Sequence, residues 1–123
     1  MTKRVLDIGN CAPDHAAIRR QIEGSFDAWV DQADDLASAM TKLEQQAADL
    51  ILVNRKLDID YSDGMAIVRQ LKSDSRWSSV PVMLVSNYPE YQAEAVAAGA
   101  EPGFGKQELR TSETLEKLRK HLE

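Results

Sequence analysis

The feature that most constrains this chain is an alternation of five short apolar segments with longer stretches of helical periodicity. The apolar segments are Arg4–Ile8, Ala28–Val30, Leu50–Val53, Val80–Val85 and a weaker one around Phe104. Between them, apolar residues recur at the three- and four-residue spacing of a helix face. The first such stretch opens at Pro13-Asp14 and places Ile18 and Ile22 on one side. Asp14 suits its N-cap, because a carboxylate there accepts a first-turn N–H, and Gly24 suits its stop. The second opens near Asp34 and aligns Leu36, Met40, Leu43 and Ala47. The third opens near Ser62-Asp63-Gly64, with Met65, Val68 and Leu71, or Ile67 and Leu71, facing inward. The fourth is the Ala-rich run Tyr91–Ala98, ended by Gly99. The fifth opens at Thr111-Ser112 and aligns Leu115, Leu118 and Leu122.

Strand–helix alternation implies parallel strands joined by right-handed helical crossovers. Leu50–Val53 and Val80–Val85 are almost wholly apolar, as strands covered on both faces must be. The expected fold is α/β: a three-layer, doubly wound, five-stranded parallel sheet. A length of 123 residues suits one domain over 1–123, with no output domain, and is enough to close a core without disulfides or a structural metal. In this architecture ligands sit at the carboxyl ends of the strands. Function is therefore sought at Gly9-Asn10-Cys11, Asn54-Arg55-Lys56, Ser86-Asn87-Tyr88-Pro89 and Gly103-Phe104-Gly105-Lys106.

Composition removes several classes. Lys and Arg number 15 against 20 Asp and Glu, a balance that disfavours nucleic acid and anionic membranes as partners. Cys11 is the single cysteine, so neither an internal disulfide nor a thiolate cage is available. His15 and His121 show no ligand spacing, and Leu50–Val53 is too short to cross a bilayer. Gly9-Asn10-Cys11-Ala12-Pro13 lacks the glycine pattern of a phosphate loop. There is no Cys-x-x-Cys, no histidine–carboxylate pair in register and no nucleophile elbow. A non-enzymatic cytoplasmic domain is expected.

The strand-end segments carry a resemblance. Asp49-Leu50-Ile51-Leu52-Val53-Asn54, Asp63-Gly64, Val80-Pro81-Val82-Met83-Leu84-Val85-Ser86 and Gly99-Ala100-Glu101 through Lys106 occur in order across essentially the whole chain. Together they resemble the receiver domain of bacterial response regulators, the CheY-like (flavodoxin-like) fold of two-component systems and phosphorelays. The resemblance implies an aspartate at the end of strand three that takes a phosphoryl group from a histidine kinase. It also implies two acidic Mg²⁺ ligands after strand one, a hydroxyl ending strand four and a lysine ending strand five.

Carried over by position, the acceptor is Asn54, whose amide has no anionic oxygen to attack phosphorus. The metal positions are Gly9 and Asn10, or Asn10 and Cys11, depending on register. Neither choice supplies a carboxylate, and Mg²⁺ prefers carboxylate and water oxygens, so no metal or other cofactor is expected. Ser86 and Lys106 match the hydroxyl and the lysine. Asn87 replaces a small residue, and Gln107 replaces the usual proline, so no cis bond is expected there. The aromatic switch position falls at Gly103, with Phe104 one place later. The implied protein is a degenerate pseudo-receiver, with a pocket of Asn10, Cys11, Asn54, Ser86, Asn87 and Lys106. It would act by protein–protein interaction without aspartyl phosphate.

Other readings stay open. Asp58 or Asp60 could act as a substitute acceptor; the bland reading is a solvated turn with Ser62 or Asp63 capping the next helix. Against a calcium loop the bland reading is favoured, since Asp63 and Arg69 stand where that loop needs glycine and glutamate. A small-molecule or anion sensor would use Asn10, Asn54, Ser86 and Lys106. Without an anion, Lys106 makes an ion pair or bonds to Asn54 and backbone carbonyls. Asp7 stands inside a strand, where an ionised carboxylate needs a partner. Lys106, Arg55 or Lys56 could supply it, unless the strand is irregular or ends there. Cys11 is either a reactive thiol at a helix start or an inert packing residue. Tyr88, Tyr91 and Phe104 either form an interaction face for a signalling partner or a second copy, or complete the core. Trp29 and Trp77 read as local packing anchors.

Overall fold

The computed structural model describes residues 2–123. Among them five strands and five helices alternate: β1 (Lys3–Ile8), α1 (Ala12–Ser25), β2 (Ala28–Ala33), α2 (Leu36–Gln45), β3 (Leu50–Asn54), α3 (Gly64–Ser73), β4 (Val82–Val85), α4 (Pro89–Ala97), β5 (Glu101–Phe104) and α5 (Ser112–Leu122). A 3₁₀ turn, Lys106–Glu108, precedes α5. All strands are parallel, in the order β2-β1-β3-β4-β5. This is the expected three-layer α/β sheet, and strand order reverses between β1 and β3.

The period-two alternation of a strand splits the core. Leu6, Ile8, Ile51 and Val53 face one way and pack with Leu43 of α2, Met65 and Leu71 of α3, and Ala95 of α4. Val5, Leu50 and Leu52 face the other way and pack with Ile18 and Ile22 of α1 and Leu118 and Leu122 of α5. Asp7 has the parity of Val5, so its side chain points toward the α1 layer.

Several boundaries differ from expectation for local reasons. Strand β4 starts at Val82 rather than Val80, because Pro81 has no N–H for a ladder. Helix α1 starts at Ala12, with Cys11 at the N-cap and no side-chain capping bond there. Asp14 is therefore inside the first turn instead of capping it. Gly24 does not stop the helix, which continues to Ser25 and closes with the Phe26 N–H on Ile22 O. The α2 cap is Asp35 rather than Asp34, in a reciprocal capping box with Ser38. Ala39 replaces Ala47 on its inward stripe; Ala47 lies past the helix end and is exposed. Asp63 caps α3, accepting the Met65 N–H, and Met65, Ile67, Val68 and Leu71 are all buried. Pro89 opens α4, and Gly99, at φ +105°, terminates it. Trp77 is buried under the Arg76 guanidinium, whereas Trp29 is more exposed, with Arg4 over its ring.

The segment from Asn54 to Gly64 is a tight hairpin. Lys56 and Asp63 form an antiparallel bridge. The Leu57 N–H donates to Ser62 O, and the Tyr61 N–H to Leu57 O. Leu57 is buried against Gly9, and the Asp58 N–H reaches Gly9 O at 2.9 Å. Gly64 closes the hairpin with its N–H on Arg55 O; a Cβ there would sit 1.9 Å from Asn54 O.

Two glycines therefore respond oppositely to alanine. Gly64→Ala drives a methyl into backbone and is expected to cost about 1–3 kcal/mol or more. Gly24→Ala meets nothing within 4 Å and gains roughly 0.5–1 kcal/mol from helix propensity. Urea unfolding midpoints of the two variants check both signs.

Candidate functional site

A cleft of about 540 Å³ opens at the carboxyl ends of the central strands, between the β3–α3 hairpin and the loop after β4. Among the sequence candidates, Cys11, Asn54, Asp58, Ser86, Asn87, Tyr88, Tyr91 and Lys106 line it. Asp7 and Asn10 do not; both are buried below it in and after β1. Asp60 is not in the cleft. It is an exposed turn residue whose carboxyl is lowered in pKa first by the Ser62 hydroxyl and then by the Ser62 N–H that it accepts. Phe104 is 1% exposed and belongs to the core, so it is removed from the interaction face. Its side chain has the α1/α5 parity of β5 and meets Val85 and Leu118 there rather than solvent.

The floor is held by committed bonds. The Asn54 side-chain amide donates to Gly9 O at 3.3 Å and to Lys56 O at 2.7 Å, pinning the hairpin to the end of β1. Lys106 Nζ lies 2.7 Å from Asp14 Oδ2. Its partner is thus the α1 carboxylate, rather than Asn54 or a carbonyl. The Lys106 hydrogen bond is the main reason that the Asp14 carboxyl titrates below its ordinary value of 3.8. Cys11 Sγ donates to the same Asp14 oxygen at 3.2 Å. Ser86 Oγ accepts the Tyr88 N–H, and Asn87 Oδ1 accepts the Gln107 N–H.

Sequence reading missed the partner of Asp7. This carboxyl is 0% exposed. Its two oxygens meet His15 Nδ1 at 2.7 Å and Asn10 Nδ2 at 2.6 Å. Among the described residues no lysine or arginine reaches it, so the expected cationic partners are corrected to a histidine and an amide. Strand β1 is regular there and pairs on both sides. Gln32 donates to Asn10 O, joining the network to β2. A histidine–carboxylate pair thus exists after all, eight residues apart in sequence and across a strand–helix turn.

These donors do not suit Mg²⁺. Both Asp7 oxygens are taken, Asp14 is held by Lys106 and Cys11, and among the described residues no three His, Cys, Asp or Glu side chains converge. A second missed residue is Gln92. Its Nε2 donates to Leu84 O and Ser86 O, and its Oε1 accepts the Gly103 N–H. A Cβ on Gly103 would come within 2.2 Å of Leu84 O. The outer wall is aromatic. Tyr88 and Tyr91 meet edge to face, and the Arg55 guanidinium covers the Tyr91 ring at 4.1 Å while pairing with Asp63.

Comparison with known proteins agrees with this geometry. A family model described as the response regulator receiver domain matches residues 11–119. The signal receiver domain of a DNA-binding response regulator from Colwellia psychrerythraea 34H aligns at 24% identity, covering 98% of this chain and 97% of that one, with a TM-score of 0.77. Chemotaxis protein CheY4 of Vibrio cholerae aligns at 18% identity over 100% of both chains, with a TM-score of 0.76. A CheY-like receiver domain from Methylobacillus flagellatus aligns at 15% identity over 100% of both, with a TM-score of 0.77. No curated protein matches the chain. Among the described residues no helix is long and apolar enough to cross a membrane.

His15→Ala strips the buried Asp7 carboxyl of a partner and is expected to cost about 3 kcal/mol. Asp7→Asn in that background recovers part of the loss, because an unpaired amide is cheaper to bury than a carboxylate. Denaturant titration of both variants measures this. The lowered Asp14 pKa gives stability that is present above 3.8 and is lost as pH falls through the lower folded value. Thermal melts across pH therefore show Lys106→Met less stable than wild type at neutrality, the gap closing in acid.

Proposed function

The chain belongs to the response regulator receiver domain family, and we propose that it is a non-catalytic pseudo-receiver. In this reading it signals by protein–protein contact, with neither a phosphoryl group at the end of β3 nor a resident Mg²⁺. The amide of Asn54 carries the reading. It donates to two backbone carbonyls, which a carboxylate in the same place would repel. The residue at the acceptor position has become a structural tie.

Two further observations support it. Lys106, the lysine that would face a phosphoryl group, is neutralised by Asp14. Where the family resemblance places a movable aromatic, Gly103 and the Gln92 clamp leave no ring to swing. Partner binding falls to the surface beside them. Tyr88 is 59% exposed and Val96 on α4 also faces solvent, and exposed aromatic anchors favour interface hot spots.

Incubation with Mg²⁺ and acetyl phosphate, followed by intact-mass measurement, tests this. No stable gain of a phosphoryl group is expected. A gain that disappears in Asp58→Ala would locate an acceptor on the cleft wall and overturn the proposal. Asn54→Asp is expected to lose about 1–3 kcal/mol of stability, since its carboxylate faces Gly9 O and Lys56 O.

A further inference from the structure

The cleft keeps a binding surface that the committed bonds on its floor do not use. Its position follows the rule for doubly wound sheets, outside the strand ends and next to the reversal of strand order between β1 and β3. Its volume of about 540 Å³ lies in the range of small-molecule sites.

The unused groups lie together on the hairpin wall. Three cations line the cleft: Arg55, Lys56 and Lys106. Arg55 pairs with Asp63, and Lys106 with Asp14. Among the described residues no carboxylate lies within ion-pair distance of Lys56. Its ammonium stands 5.9 Å from the Tyr61 ring centroid. Tyr61 is 73% exposed and is held at φ +60°. Such a backbone is costly for a bulky residue, on the order of 1–3 kcal/mol, and persists only where its surroundings fix it. The fixing contacts are the Tyr61 N–H bond to Leu57 O and the Asp60–Ser62 turn. An open ring thus stands on a fixed backbone beside an unpaired ammonium. Across the cleft Tyr88 offers a second exposed ring, and Val85 adds apolar lining.

We propose that this cleft binds a small aromatic anion, with the ring against Tyr61 and Tyr88 and the anionic group at Lys56. The inference rests on the reading that no phosphoryl group is installed in the cleft. Ring and charge are both required: a bare anion leaves the tyrosines uncovered, and a neutral ring leaves Lys56 unpaired. This differs from holding phosphate at Lys106, because the anionic group is held by Lys56 on the hairpin.

The test is an NMR titration of the isotope-labelled, unphosphorylated chain. The probes are benzoate and phenyl phosphate. Acetate and inorganic phosphate are the ring-free controls, and benzyl alcohol is the uncharged ring. Saturable shifts confined to the Lys56–Asp63 hairpin and the Ser86–Tyr91 segment, with a Kd of roughly 1 mM or tighter, are expected for either aromatic anion. Each control should bind at least about tenfold more weakly. Lys56→Met and Tyr61→Ala alter exposed side chains, and each should weaken binding about five- to tenfold with the amide spectrum otherwise retained. The proposal is overturned if neither aromatic anion saturates, if the controls bind equally well, or if both variants bind like wild type. A phosphoryl gain in the mass experiment would refute the pseudo-receiver reading alone, because the titration reports on the unmodified cleft.

Discussion

A carboxyl group with no exposure in the middle of a parallel sheet must find its partners locally, and Asp7 organises the functional end of this molecule through that need. Its oxygens are met by Asn10, in the turn after β1, and by His15, in the second turn of α1. Those two contacts fix where the chain leaves the sheet and how the helix begins. A helix placed this way brings Asp14 over the strand ends, where it takes up Lys106. The lysine at the end of β5 is then neutralised by a residue that the first turn of α1 positions. One buried group beneath the cleft thus helps set the pairing of Lys106 above it.

The fold was legible because its signals are periodic. Val5, Leu50 and Leu52 alternate with Leu6, Ile51 and Val53, and each set finds its own helical layer. Asn54, Ser86 and Lys106 were legible as strand-end residues because apolar runs stop there. The Asp7–His15 pair was not read, although its signal was present. Asp7 shares parity with Val5, and His15 precedes Ile18 and Ile22 by three and seven residues on one helix stripe. Combining the strand period with the helix period would have set the two side chains face to face. Boundaries failed where a polar side chain had two possible tasks: Asp14 could cap a helix or hold a lysine, and it holds the lysine.

In the proposed pseudo-receiver, the amide at Asn54 bears on more than one residue's chemistry. An aspartate at the end of β3 would require cationic neighbours to offset its charge. With the amide of Asn54 there, the nearby cations pair elsewhere. Lys106 turns to Asp14 and Arg55 turns to Asp63 and the Tyr91 ring. On the far side Gln92 bonds to β4 and to Gly103 of β5, so α4 is stitched to both strands by a neutral side chain. Each of these contacts ties a side chain of the cleft rim to a neighbouring element.

Contacts at the base of the hairpin bear on what the cleft can bind. The hairpin is tied to β1 through Asn54 and Asp58, both reaching Gly9 O, and to α3 through Gly64. Leu57 is buried beneath it. A loop anchored at both ends and at its base loses little conformational entropy when a ligand arrives, because its order is already built in. That preorganisation is what allows a shallow, partly solvated site to discriminate by shape and charge together. It also assigns the contributions. Buried Asp7 and Leu57, with half-buried His15, hold the walls, while exposed Lys56, Tyr61 and Tyr88 are the groups proposed to recognise the ligand. In the proposed site, specificity would therefore turn on exposed side chains held by a buried base.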